Sequence, residues 1–113
     1  MPFISLKTNQ TINSSTETNL KNKFGAAIRN LGKTEDWLML NFMDEQKMYF
    51  KGDNSEGIAF LEVKIYGKAC KIAYDDTTKE LTKIVSLELD IPANNIYIKY
   101  EECSIWGYNG INL

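Results

Sequence analysis

Residues 60–65 read Phe60-Leu61-Glu62-Val63-Lys64-Ile65, an alternation that turns Leu61, Val63 and Ile65 to one face of a β-strand. The chain opens in the same way, because Phe3 to Lys7 is a short strand with Ile4 and Leu6 on one face. Val63 lies 59 residues after Ile4, Ile65 lies 59 after Leu6, and Ile96 lies 59 after Trp37. A single offset therefore relates two halves, spanning about residues 2–43 and 59–101. Between the strands of the first half, Ser14-Ser15-Thr16-Glu17 forms a capping box. Leu20, Phe24, Ala27, Ile28 and Leu31 then follow at helical spacing, and Gly32 suits the left-handed position just past a helix end. The apolar run Trp37 to Met43 predicts a strand covered on both faces. In the second half Asp75-Asp76-Thr77-Thr78 opens a helix carried by Leu81, Ile84, Val85 and Leu89, and Ile91-Pro92 marks its exit. Ile96 to Tyr100 predicts the last long strand, with Ile96, Ile98 and Tyr100 on one face and Tyr97 and Lys99 on the other. The polar segment Asp44 to Gly57 connects the halves, with a short strand expected around Met48 to Phe50.

Each half is thus a strand-helix-strand unit, whose strands lie parallel when the crossover is right-handed. The predicted fold class is α/β (α+β): two such units form one four-stranded sheet with both helices on one face, in a single domain over residues 1–113. The opposite face, carrying Tyr97, Lys99 and part of the apolar 37–43 strand, is too apolar to remain in water. Self-association through it is the expectation.

Composition narrows the function classes. A hydrophobic content of 43% in 113 residues suffices for one core, and a formal net charge of -2 provides no basic field for nucleic acid or acidic lipid. The N-terminus carries neither a secretory h-region nor an Arg-rich transit pattern, and no stretch approaches the roughly 20 apolar residues that cross a bilayer. A cytoplasmic location is the expectation, with release by a route that needs no signal peptide left open. Cys70 and Cys103 form no CxxC pair and read as ordinary thiols. The chain has no histidine, which removes Ser-His-Asp and Cys-His catalysis and the commonest transition-metal ligand. No metal or other cofactor is expected. A catalytic base must come from Lys, Tyr, Asp, Glu or the amino terminus.

Pro2 is one of only two prolines. Initiator methionine is normally removed before proline, which would leave a secondary amine held at the start of a strand. Lys33 sits at the exit of the first helix, where a cation also complements the helix dipole. Tyr97 and Lys99 share a strand face and read equally as a solvated or an interface pair. Trp106-Gly107-Tyr108-Asn109-Gly110 can be a hairpin turn dressed with aromatics.

Taken in order, Met1-Pro2-Phe3-Ile4, Leu31-Gly32-Lys33, Met48-Tyr49-Phe50-Lys51-Gly52, Ile96-Tyr97-Ile98 and Gly107-Tyr108-Asn109-Gly110 resemble the motifs of the macrophage migration inhibitory factor family of the tautomerase superfamily. The resemblance covers essentially the whole chain. It implies a homotrimer with active sites at subunit interfaces, acting as a keto-enol tautomerase on a small aromatic α-keto acid such as phenylpyruvate. In that scheme Pro2 is the base, Lys33 grips the substrate carboxylate, and Tyr66 lies in the loop whose backbone faces the substrate. Tyr97 comes from the neighbouring subunit, and Trp106 and Tyr108 form an aromatic wall. The chain departs from the family at Tyr66, where an aliphatic residue is commoner, and at Lys99, where many members carry Asn. It has Gly57-Ile58-Ala59-Phe60 in place of the CxxC of vertebrate members, so no thiol-disulfide oxidoreductase activity is expected. Two other readings compete with the enzyme. One is a cytokine-like ligand for a host receptor; the other is a trimer that binds small molecules without turning them over.

Overall fold

The computed structural model describes all 113 residues. In chain order the elements are β1 (Pro2–Thr8), α1 (Ser14–Ala27), β2 (Met39–Met43), β3 (Ala59–Tyr66), α2 (Lys71–Leu89), β4 (Ile96–Cys103), β5 (Gly107–Tyr108) and β6 (Ile111–Asn112). The first four strands to span the core form one sheet in the order β2-β1-β3-β4. β1 runs parallel to β2 and β3 runs parallel to β4, so the strands of each strand-helix-strand unit lie parallel as expected; β1 and β3 meet antiparallel at the centre, with Ile4 opposite Val63.

Alternation decides which face is dry. Ile4 and Leu6 from β1 and Leu61, Val63 and Ile65 from β3 are all 1% exposed or less, and they pack with Leu20, Phe24, Leu81 and Val85 from the two helices. Both helices therefore lie on one face. The Phe24 and Phe42 rings stack at 6.1 Å and extend the core toward the β2 edge. The other face stays open in the single chain: Met39 is 67% exposed and Tyr97 56%. The expectation that the 37–43 segment is covered on both faces does not hold within one chain, because β2 is an edge strand with helices on one side only.

The internal repeat is less regular than one offset implies. Phe3 faces Met39, 36 residues on, whereas Glu62 faces Lys99, 37 residues on. The first strands of the two units correspond at an offset of 59, but their second strands correspond at 60. Side-chain parity requires this: Leu38 and Leu40 pack toward the core in β2 and its approach, as Ile98 and Tyr100 do in β4. Trp37 is thus not the counterpart of Ile96. It ends a short 3₁₀ turn, Glu35–Trp37, that precedes β2.

Helix starts also differ from the expectation. The N-cap of α1 is Asn13, whose side-chain oxygen accepts from the backbone N–H of Thr16 at 2.8 Å; Ser14 and Glu17 do not form the capping box. A cluster of polar residues offers several possible caps, and the extended backbone of Asn13 selects the one used. The helix then tightens into a 3₁₀ turn, Ile28–Leu31, closed by Gly32 at φ 72°. α2 begins at Lys71, four residues before Asp75, with Cys70 at a cap position where its side chain makes no hydrogen bond. It ends on Asp90 in the left-handed region, just before Ile91-Pro92.

The 44–57 segment is a connection, as expected, but Met48 to Phe50 is not a strand. Phe50 pairs only with Asp53, across a turn in which Lys51 and Gly52 both have positive φ. At the C-terminus β5 and β6 do form a hairpin, turned by Asn109 (φ 53°) and Gly110 (φ 81°), the conformation in which an Asn-Gly pair matches strand twist.

Replacing Asn13 by Ala is expected to lower the unfolding free energy by about 1 kcal/mol, whereas Ser14→Ala stays within about 0.5 kcal/mol of the parent. Urea denaturation of the two variants checks the assignment; equal losses would return the cap to Ser14.

Candidate active site

The antiparallel β1–β3 ladder puts the start of one strand beside the end of the other. Pro2 pairs with Ile65, and the N–H of Tyr66 donates to the Met1 carbonyl at 3.0 Å. Pro2 itself is buried. At the same end of the sheet the loop after α1 delivers Lys33, whose Nζ donates to the Tyr66 carbonyl at 2.8 Å. Gly67 follows at φ 93°, and a Cβ built there would lie 3.9 Å from Lys33 Nζ, so the ammonium rests against bare backbone. Lys33 is therefore held by a neutral acceptor and not by a carboxylate, beside the chain's amino terminus. The α-amine, here that of Met1, is held below its ordinary value by loss of solvent and then by the Lys33 charge. With Met1 in place the nitrogen of Pro2 is a tertiary amide and takes no proton. Removal of Met1 would leave a secondary amine at the tip of β1, at the same end of the sheet as Lys33.

The aromatic residues near the C-terminus reach this end by crossing it. β4 leaves the sheet at Cys103, on the side of β3 away from β1, yet the Tyr108 ring stands edge-on to Trp37 at 5.3 Å, next to β2. The segment 104–108 therefore spans the end of the sheet where Pro2 lies, carrying half-buried Trp106, whose carbonyl accepts from the Leu113 N–H at 2.9 Å. Trp37 is the residue that sequence reasoning missed. Its place in an apolar run disguised it as part of a strand.

Tyr97 and Lys99 are not brought to this end within one chain. Pro2 is level with Ile65, which is level with Glu102, and Tyr97 lies five residues back along β4. At a rise of about 3.3 Å per residue that is roughly 16 Å from the level of Pro2. Tyr97 packs instead edge-on to Phe50 at 5.2 Å and lies near Phe60 at 6.3 Å. Lys99 pairs with Glu101 at 3.0 Å, and that hydrogen bond, with the charges of Lys99 and Lys64, holds the Glu101 carboxyl below the usual range. Glu62 is shared between Lys7 at 3.9 Å and Lys64 at 3.7 Å, so the open face carries a chequered array of half-buried charges.

No cluster of His, Cys, Asp or Glu could hold a metal ion, and no helix is long and apolar enough to cross a membrane. The largest surface cleft lies far from the amino terminus, along the outer side of α2 past Thr78, Thr82 and Leu87. It holds no titratable group but Lys79 and Lys83 and has none of the chemistry gathered around Pro2.

Comparison with known proteins matches the family described as macrophage migration inhibitory factor (MIF) to residues 1–112. Macrophage migration inhibitory factor of Xenopus laevis is 29% identical over 112 residues, covering 97% of this chain and 96% of that protein. The homologue from Brugia malayi is 29% identical over the same share of each. Among solved structures, Leishmania major MIF2 superposes with a TM-score of 0.93 at 28% identity, over 100% of this chain and 97% of that one. With its sequence matched from end to end and its sheet order and helix placement shared with a solved relative, the chain belongs to the macrophage migration inhibitory factor family.

Proposed function

We propose that this protein is a homotrimeric keto-enol tautomerase that uses the amine of Pro2, freed by removal of Met1, as its base toward a small aromatic α-keto acid such as phenylpyruvate. The observation that carries the reading is the Lys33 ammonium held beside the amino terminus by a neutral carbonyl. An amine serves as a base only when neutral. Burial and an adjacent cation both disfavour the ammonium form, so the free base is present at lower pH than for an ordinary terminus.

In the keto-to-enol direction the Pro2 nitrogen takes a proton from the carbon next to the keto group, and the resulting ammonium gives a proton, directly or through water, to the enolate oxygen, which yields the enol and restores the free base. The reverse direction returns the proton to carbon. Lys33 binds the carboxylate, and its charge offsets negative charge building on the substrate. A positioned base contributes roughly 10²–10⁴ in rate. Tyr66 lines the loop that faces the substrate, and Trp106 and Tyr108 form the aromatic wall. Tyr97 and Lys99 belong to the site through a neighbouring subunit. Their distance from Pro2 in their own chain and the exposed apolar face they share with Met39 both support that assignment.

Two measurements test the reading. Protein whose intact mass lacks Met1 is expected to convert phenylpyruvate enol to keto form in an ultraviolet assay, with a loss of about 10²-fold or more in Pro2→Gly; correctly processed protein without activity would overturn the proposal. Activity is expected to rise with pH as the depressed amine loses its proton. Removing the Lys33 charge lets that amine return toward its ordinary value, so Lys33→Ala moves the acid limb of the profile to higher pH and raises KM. An unmoved limb would show that Lys33 does not tune the base.

A further inference from the structure

Tyr66 is the last residue of β3, and its carbonyl, the acceptor for Lys33, points out at the head of the loop 67–70. That loop is fastened to β4. The Gly67 N–H donates to the Cys103 carbonyl at 2.9 Å, and the Ala69 N–H donates to Oε2 of Glu102 at 3.3 Å. The same carboxylate oxygen accepts from the Tyr74 hydroxyl at 2.7 Å, and Tyr74 lies in the first turn of α2. The cap residue of α2, Cys70, makes no side-chain cap of its own. The Glu102 carboxylate from β4 stands beside that helix end, bound to the N–H just before the cap residue and to the Tyr74 hydroxyl, where negative charge is favoured.

We infer that Glu102 and Tyr74 form a clamp that fixes the 67–70 loop and through it the Tyr66 carbonyl, so that both are positioning residues for the Lys33 ammonium at the amino terminus. Their importance for catalysis rests on the tautomerase reading; their effect on the amine does not. The charge distribution agrees with a carboxylate committed to this task. The hydrogen bonds from Tyr74 and Ala69 hold Glu102 below the usual carboxyl range, with Lys68 the nearby cation that adds to the effect. The Tyr74 hydroxyl is pushed up to about 12, first by burial and then by its bond to Glu102, so it stays a donor throughout the working pH range. Tyr74 also packs on Tyr100 at 4.7 Å, whose own hydroxyl bonds Thr78, so the donor is braced from β4 as well.

The sign of one measurement separates the clamp from plain electrostatics. Deleting a carboxylate makes its surroundings more positive, which by itself lowers the pKa of a nearby amine. Releasing the clamp lets Lys33 drift from the amino terminus, which raises it. The experiment uses Met1-free protein with its fold checked by circular dichroism, and reads the Pro2 amine by the pH dependence of its labelling with an isothiocyanate. Glu102→Ala is expected to shift the amine pKa upward and to raise KM for phenylpyruvate about tenfold with a smaller change in kcat, the size of one lost charge-assisted hydrogen bond. Tyr74→Phe gives a smaller shift of the same sign. Glu102→Gln, whose amide oxygen still accepts from both donors but carries no charge, keeps the clamp, so its amine pKa does not rise and moves at most slightly downward. A folded Glu102→Ala protein with an unchanged or lowered amine pKa overturns the inference, and if that variant does not fold, Tyr74→Phe decides in the same terms. Upward shifts in a protein that never turns over phenylpyruvate would sink the tautomerase reading and leave the clamp standing.

Discussion

The antiparallel pairing of β1 with β3 is the constraint on which the rest of this molecule depends. Each strand-helix-strand unit is internally parallel, so only one pair in the sheet joins the units, and it sets their relative direction. Because the pairing is antiparallel, the first residue of β1 meets the last of β3. The loop after α1 and the loop after β3 then converge on the amino terminus from opposite units. A parallel junction would have sent the two loops to opposite ends of the sheet, and no ammonium would stand beside the terminal amine. The same ladder carries the centre of the core, since Ile4, Leu6, Leu61, Val63 and Ile65 are among its least exposed residues.

Much of this was legible in the sequence. Alternation at 3–7 and 60–65 identified the two central strands and their inward residues, and Gly32 correctly marked the end of the first helical segment. What failed to read through shares a physical cause: competition among neighbours of similar chemistry. Asn13, Ser14 and Ser15 are all competent caps, and only backbone conformation chooses between them. The acidic pair at 75–76 looked like a helix start, but α2 begins at Lys71, after a loop that is held by Glu102, distant in sequence. Trp37 was absorbed into a run of apolar residues whose strand begins two positions later. The site was legible unevenly. Pro2, Lys33 and Tyr66 stand together, yet nothing in spacing alone brings Lys33 to Tyr66; that came from family resemblance. Glu102 and Tyr74 carry no local pattern at all, since their meaning lies in a bond spanning 28 residues.

The open face of the sheet combines two tendencies. Met39 and Tyr97 offer apolar area that favours burial, while Lys7, Glu62, Lys64, Lys99 and Glu101 offer charge that resists it. Within one chain Lys99 pairs with Glu101 and Glu62 is shared by Lys7 and Lys64, partly exposed contacts individually worth little to stability. Their arrangement matters more for what can be laid against them. A second surface meets charges that already have partners, with one cation in excess, so desolvation falls mainly on joined groups instead of lone ions.

The register difference between the two units bears on their history. One residue more separates the strands of the second unit than those of the first, yet every inward side chain of β4 still faces the helices. A strand ladder cannot absorb an odd insertion, because a slip by one turns each side chain over. The irregular segments between helix and strand can, and the two units differ there: a 3₁₀ turn, the left-handed Gly32 with two further residues and a second 3₁₀ turn in one, Asp90 and a proline-led 3₁₀ turn in the other. The halves have thus ceased to be interchangeable parts. Transplanting residues from one to the other by simple sequence alignment would preserve the central strands and invert the outer ones, so the molecule retains the symmetry of a duplication in its shape but no longer in its code.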